Sequence, residues 1–348
     1  MKKNLTGVWE EVSLSFLSVA LSLLVGAIII SVLGYSPIAA YGALLRGAMG
    51  SPVAFTAMIK KAVPLILSGL AVAVGFRCSA FNIGVEGQLM VGALCAALAG
   101  IYLSLPPVIH LVVVLLAGIV GGMLFAFVPA LLKLKCNVNV TISTIILNYV
   151  AQFFVQFCVM GPFHGYSAME ATNKLAPSAQ MPSLLPKPYQ LNLGVVIMIL
   201  TVFFVYYLFN KTVQGYEMTA VGLNQTASQF QGISVDKMAF LALLISGGIA
   251  GLSGSIEVSG TLNRYVNGFS TGYGFSGIPI ALMAQNNPFA IILTGLFFGL
   301  MKSGSFMMQS TVGVSADLVN IIQGLVVVFL CFENFFRYYL AKWKVQHV

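Results

Sequence analysis

Polar groups that could do chemistry concentrate in the segment Phe81-Asn-Ile-Gly-Val-Glu-Gly-Gln88, directly before an apolar run. One interpretation is a helix start, with Asn82 as the N-cap and Glu86 near the positive end of the helix dipole. The other is a polar element of a membrane pathway, because ionisable groups inside a bilayer are rare and usually face a cavity. Both interpretations stay open on the residues alone. Asn148, inside a later apolar run, either bonds neighbouring helices or lines the same pathway.

The remaining polar residues do not form a catalytic set. The sequence has no nucleophile beside a base, no paired carboxylates in a span and no G-x-S-x-G or P-loop motif. A G-x-G-x-x-G match at 272–277 lacks the preceding strand and the later acid that dinucleotide binding needs. The three histidines and five cysteines have no metal-site or disulfide spacing. We therefore expect no catalytic residue, no metal site and no cofactor in this chain.

The composition decides the class of protein. Hydrophobic residues make up 59% of the 348 residues and charged ones only 7%, whereas a soluble domain carries about 25% charged residues. Mean hydropathy is +0.95. These values exclude a soluble enzyme, a nucleic-acid binder and a disordered chain. They predict an all-α polytopic membrane protein, and the net charge of +8 then reflects basic cytoplasmic loops.

A spanning helix needs about 20 apolar residues, and this ruler predicts about ten spans. They lie near 13–34, 62–78, 86–104, 108–132, 141–161, 191–209, 238–256, 274–285, 287–303 and 315–337. The eighth is too short to cross unaided, so we expect it to be tilted, broken or re-entrant. Three Gly-x-x-x-Gly pairs predict close helix packing: Gly118/Gly122, Gly247/Gly251 and Gly295/Gly299.

Lysine and arginine placement predicts that both termini are cytoplasmic. The cytoplasmic side would then hold Lys2, Lys3, Arg77, Lys133, Lys135, Lys211, Lys237, Arg337, Lys342 and Lys344. The outer side would hold Arg46, Lys60, Lys61, Lys174, Lys187, Arg264 and Lys302. Glu257, at the end of the seventh span, is interpreted as an interfacial pair with Arg264.

Three connections are too long to be simple turns. Residues 162–190 hold five of the thirteen prolines, which predicts an extended extracytoplasmic loop and not a span. Residues 35–60 form a second long connection. The third, 210–237, is predicted to be cytoplasmic.

Within 210–237 the sequence brackets a short helix at 225–231. Asn224 is a good N-cap, and Gly232 suits the left-handed position after a helix end. Ala227 and Phe230 are three apart and so share a face. Because an isolated helix this short is marginal in water, we expect it to dock against another protein.

Three segments resemble the permease subunits of bacterial ABC importers for branched-chain amino acids, simple sugars and nucleosides. Residues 81–88 are similar to the family's N-I-G-x-E-G-Q segment, and 272–288 to its G-F-x-x-I-x-V-A-L-L-G-x-x-x-P stretch, with Met283-Ala284 in place of Leu-Gly. Residues 215–233 resemble its coupling loop, with Ser228 where a second alanine is expected. The matching coupling positions are Gly215, Ala220, Gly222, Asn224, Ala227, Phe230 and Gly232.

The resemblance implies a single permease domain over 1–348 with the type II, cobalamin-importer-like fold. It implies a bacterial cytoplasmic (inner) membrane protein that forms one pathway with a second, homologous permease. Its other partners would be a cytoplasmic ABC ATPase, which binds ATP and Mg, and an extracytoplasmic binding lipoprotein or periplasmic protein. No nucleic acid is expected as a partner.

Nucleosides are the expected small-molecule substrate, because the form of residues 81–88 and the long Pro-rich loop look most like the nucleoside-type branch. The pathway would include Asn82, Glu86, Gln88 and Asn148. Sugars and branched-chain amino acids remain alternatives. An ion-coupled secondary transporter is a further alternative, although it usually needs intramembrane acids and inverted repeats.

Overall fold

The computed structural model describes residues 5–166 and 169–331, with side chains from 17 to 166 and from 169 to 329. In these residues the chain forms thirteen α-helices. They are α1 Leu5–Val32, α2 Pro37–Met49, α3 Pro52–Arg77, α4 Val85–Tyr102, α5 Pro107–Cys136, α6 Val140–Met160, α7 Gly194–Lys211, α8 Val213–Leu223, α9 Gln225–Phe230, α10 Val235–Glu257, α11 Tyr273–Met283, α12 Pro288–Val312 and α13 Asp317–Cys331. A π-helical turn, Val258–Leu262, continues α10.

Seven of these helices, one of them α10 with its π-helical turn, are long and apolar enough to cross a membrane. An eighth span results if α1 and α2 are counted as one bent pair, with 119° between them. Two shorter apolar helices are Tyr273–Met283 and Asp317–Phe329. The chain is therefore a polytopic membrane protein, as the composition predicts.

Several predicted boundaries are wrong. The connection 35–60 is largely helical, because Pro37 and Pro52 suit the first turns of α2 and α3. Lys60 and Lys61 therefore lie inside α3 and not in an outer loop. In the same way α12 extends to Val312 and includes Lys302. The hydropathy criterion ends a predicted span at charged residues. A helix can continue through such residues when their charge is compensated.

The structure also corrects the interpretation of Glu257. This side chain is only 9% exposed, and the charges that act on it are those of Lys60 and Lys61. It does not form an interfacial pair with Arg264. Five residues that define the predicted orientation lie outside the described part of the chain: Lys2, Lys3, Arg337, Lys342 and Lys344.

The chain divides into two compact units. The first comprises residues up to 58 and from 298 onward. Within it the Tyr41 hydroxyl of α2 donates to the Leu23 carbonyl of α1 at 2.6 Å. A side chain at Gly304 of α12 would overlap the Leu44 carbonyl of α2, so these two helices cross at close range.

The second unit spans residues 59–297 and contains the segments singled out above. Its centre is the crossing of α4, α5 and α10. A Cβ atom on Gly251 would overlap the Gly118 carbonyl, and one on Gly122 would overlap the Gly247 carbonyl. Two of the predicted Gly-x-x-x-Gly pairs thus pack against each other, and Gly92 of α4 meets the same crossing.

The Pro-rich segment packs along the chain that follows α10. The Thr172 amide donates to the Tyr265 carbonyl at 2.9 Å, and the Met181 amide donates to the Ser259 carbonyl at 2.9 Å. In its described residues, 162–166 and 169–190, the only helix is a short 3-10 turn at Pro177–Ala179. This segment covers one end of α4, α5 and α10.

Candidate substrate pathway and coupling helix

The four predicted pathway residues are all buried and belong to one polar region at the start of α4. Exposed fractions are 0% for Asn82, 5% for Glu86, 1% for Gln88 and 4% for Asn148. The side-chain amides of Asn82 and Gln88 bond each other twice, at 2.9 and 3.1 Å. Asn82 also donates to the hydroxyl of Ser246 on α10 at 2.8 Å. Buried polar groups need such partners, so this pair fixes the segment between α3 and α4.

Asn82 does not cap α4, because Gly84 occupies the N-cap position and α4 begins at Val85. Its Oδ1 instead accepts from the Gly84 amide at 3.0 Å, inside the preceding turn. Asn148 of α6 holds the same segment. It accepts from the Gly87 amide at 2.9 Å and donates to the Ile83 carbonyl at 2.9 Å. Asn82 and Asn148 therefore both position the backbone of residues 83–87.

The Glu86 carboxylate binds the N-terminus of α11, which is not the helix that contains Glu86. Its carboxylate accepts from the Gly274 amide and from the Ser270 hydroxyl, each at 2.6 Å. Gly274 lies in the first turn of α11, where free amides and the helix dipole favour a negative charge. Gly272, with φ +82°, starts that turn, and a Cβ on Gly274 would overlap the Glu86 backbone. The glycine motif at 272–277 therefore serves this close approach.

A cavity of about 380 Å³ opens beside Glu86. This volume lies in the range of about 300–1,000 Å³ typical of small-molecule sites. It is enclosed by α4, α6 and the segment 265–275. The lining residues are Glu86, Met90, Asn148, Tyr149, Gln152, Val155, Gln156, Tyr265, Asn267, Gly268, Phe269, Ser270, Thr271, Gly272 and Phe275. Four aromatic rings and four side-chain amides dominate this set.

The Glu86 carboxylate in this wall already accepts two hydrogen bonds, and no cationic side chain lies beside it among the described lining residues. No lysine, arginine or histidine is among the described residues that line the cavity. Burial and the nearby Glu86 charge raise the pKa of the Tyr265 hydroxyl, so this group stays neutral. The cavity therefore suits an uncharged polar solute with apolar faces.

Several lining residues were missed in the sequence. Gln152 and Gln156 follow Asn148 at intervals of four, so the three form a polar stripe along one face of α6. That spacing was the available signal. Asn267, Ser270 and Phe275 reach the cavity through tertiary packing, and nothing in their local sequence marks them.

The predicted docking helix has the expected geometry. It is α9, Gln225–Phe230, and the Asn224 side chain accepts from the Ala227 amide at 3.0 Å. Gly232 is left-handed at φ +82°. Phe230 is 89% exposed, and Ala227 is exposed beside it. The helix thus presents a small apolar surface that nothing in the described chain covers.

The other predicted coupling residues lie on α8, which connects α9 to the body of the second unit. A Cβ on Gly215 would overlap the Leu208 carbonyl, and one on Gly222 would overlap the Arg77 carbonyl at the end of α3. The hydroxyl of Ser79 donates to the Gly222 carbonyl at 3.1 Å. Ala220 lies between these two close contacts. The end of α8 therefore touches the segment that leads to Asn82 and Glu86.

Comparisons with known proteins agree with these features. Residues 54–331 match the family described as branched-chain amino acid transport system, permease component. The chain is 35% identical to a guanosine ABC transporter permease of Bacillus subtilis over 94% of this chain and 95% of that protein. It is 34% identical to a glucose ABC transporter permease of Haloferax volcanii, over 95% and 90%. It is 29% identical to a nucleoside ABC transporter permease of Lactococcus lactis, over 96% and 94%.

No solved structure matches the chain. The family match covers the second unit completely and extends into both parts of the first. All three relatives are named as permeases, which are transport components and not catalytic enzymes. The chain therefore belongs to the family of branched-chain amino acid transport system permease components and is an ABC transporter permease.

Proposed function

We propose that this permease imports nucleosides as one subunit of an ATP-driven transporter. The observation that carries the proposal is the cavity beside Glu86, whose wall combines neutral amides with aromatic rings. A nucleobase is planar and uncharged, with hydrogen-bonding groups along its edge, so it stacks on rings and bonds to amides. The names of the Bacillus and Lactococcus relatives support the same substrate class.

The same wall argues against amino acids as the substrate. An amino acid carries a carboxylate, which needs a cation or a free helix N-terminus. The cavity has no cationic side chain among its described lining residues. The first turn of α11 is already occupied by Glu86. A neutral sugar remains the second candidate, since the Haloferax relative is named a glucose permease.

The proposed fold is the type II importer arrangement with about ten membrane segments. Seven spans, the bent α1–α2 pair and the two shorter apolar helices α11 and α13 together give that number. In this arrangement a second permease completes the pathway, an extracytoplasmic binding protein delivers substrate, and a cytoplasmic ATPase binds ATP and Mg. The exposed helix α9 is the proposed contact with the ATPase.

Substrate competition tests the proposed function. Vesicles holding this permease, its second permease and the ATPase, with the binding protein outside and ATP inside, are expected to accumulate radiolabelled guanosine. A hundredfold excess of unlabelled adenosine or guanosine should remove most of the labelled uptake, whereas equal leucine or glucose should not. Competition by glucose would favour the sugar alternative, and competition by leucine would contradict the argument from the uncharged wall.

Thiol labelling tests the proposed orientation, in which the α5–α6 connection is cytoplasmic. Cys136 at the end of α5 is exposed, whereas Cys78 is buried. Burial raises the pKa of the Cys78 thiol to about 12, so at pH 8 this group stays protonated and unreactive toward a maleimide.

In single-cysteine variants we therefore expect an impermeant maleimide to label Cys136 in inside-out vesicles and not in right-side-out vesicles. Cys78 should react only after unfolding in detergent, which serves as the control for its presence. Labelling of Cys136 from the outer side would reverse the proposed orientation.

A further inference from the structure

Two glutamines in the second half of the membrane helix α6 line the cavity. Gln152 and Gln156 lie within Val140–Met160, a span by length and hydropathy. Gln152 is exposed and Gln156 is half-buried. A side-chain amide that faces lipid is costly because hydrocarbon offers it no hydrogen bond. This face of α6 therefore meets water, a solute or another protein and not lipid.

These two amides have unused hydrogen-bonding capacity, unlike the other amides of the wall. Asn148 is bound to the backbone at both ends of its amide, and Asn267 donates to the Glu170 carboxylate at 2.8 Å. Among the described residues Gln152 makes no hydrogen bond. Gln156 has only a contact of 3.5 Å to the Met160 thioether, which is a weak acceptor.

Two rings beside these amides present open faces. Tyr149 is 60% exposed and Phe275 is 46% exposed. The other two rings of the cavity are less available, because Tyr265 is only 1% exposed and meets Phe269 edge to face at 5.0 Å. Tyr149 lies three and seven residues before Gln152 and Gln156, so all three share one face of α6.

We propose that Gln152 and Gln156 recognise the base edge of the transported nucleoside, with Tyr149 and Phe275 as stacking surfaces. The proposal rests on the proposed function and identifies the residues that determine specificity within it. A glutamine amide presents a donor and an acceptor side by side, which matches neighbouring acceptor and donor groups on a base edge. Ribose has no such planar pair, so the amides recognise the base and not the sugar.

The experiment compares guanosine with purine riboside, which has the same ribose and ring system but no exocyclic groups. For the wild-type transporter we expect the uptake KM of purine riboside to exceed that of guanosine about tenfold, as typical for one or two lost hydrogen bonds. In Gln152→Met or Gln156→Met, which keep the side-chain length, this ratio should fall severalfold below its wild-type value. The binding protein is the same in every sample, so its own preference cancels between variants.

Phe153→Leu is the matched control, because Phe153 is 65% exposed on the same helix and does not line this cavity. It should keep the wild-type ratio. Co-purification of the second permease and the ATPase checks assembly of each variant. Equal changes of both KM values, a wild-type ratio near one, or loss of assembly in both glutamine variants would overturn the proposal. Absence of all nucleoside uptake in the wild type would instead remove the proposed function, and this proposal with it.

Discussion

Replacing Ala227 by arginine is expected to lower substrate uptake more than tenfold while the permease still inserts and folds. Ala227 is exposed on α9, and the bond that caps this helix uses its backbone amide, so a longer side chain does not disturb the helix. The arginine would instead occupy space at the surface that carries Phe230. A bulky charge at a small apolar contact prevents close docking.

Uptake, ATP hydrolysis and co-purification of the ATPase should be measured on the same vesicles. We expect Ala227→Arg to separate hydrolysis from uptake, and Ala227→Ser, which adds one atom, to behave like the wild type. Normal uptake by the arginine variant would show that α9 does not transmit the work of the ATPase.

Gly251→Ala is expected to cause a large loss of folded protein, although it adds only one methyl group. Its Cβ would overlap the Gly118 carbonyl and lie 3.1 Å from the Gly122 Cα. Both obstacles are backbone, so neither can rotate away, and α5 and α10 would have to separate. Overpacking of this kind costs about 3 kcal/mol.

The melting temperature and yield of purified protein measure this effect. Gly42→Ala is the matched control, since it makes the same change within a helix where no described atom lies within 4 Å of the new methyl. We expect that control to be neutral or slightly stabilising. Equal yields and melting temperatures for the two variants would contradict the close crossing of α5 and α10.

Local signals explain which elements the sequence predicts well. Helix α9 is predicted to within one residue because its two ends depend on Asn224 and Gly232, which act on adjacent backbone. Charged residues are a less reliable sign of where a helix ends. Lys60 and Lys61 end a hydropathy window, although α3 continues through them, and Glu257, which is distant in sequence, partly offsets their burial.

In the candidate site, too, contacts between residues close in sequence are easier to predict than contacts between distant residues. Asn82, Glu86, Gln88 and Asn148 are all buried in one region, yet the partner of Glu86 was not predictable. Its carboxylate bonds Ser270 and Gly274 across 184 and 188 residues of sequence. Only the fold reveals such contacts. The docking of α9 on an ATPase remains a prediction, as does the lining of the pathway by Asn82 and Gln88.

We propose that this membrane chain moves nucleosides with energy from a separate ATPase. The most direct measurement compares guanosine accumulation in vesicles holding the complete transporter with vesicles that lack only the ATPase subunit. We expect accumulation in the complete vesicles alone, dependent on internal ATP and unaffected by a protonophore. Accumulation by the permease without the ATPase, abolished by a protonophore, would contradict the claim and identify an ion-coupled transporter.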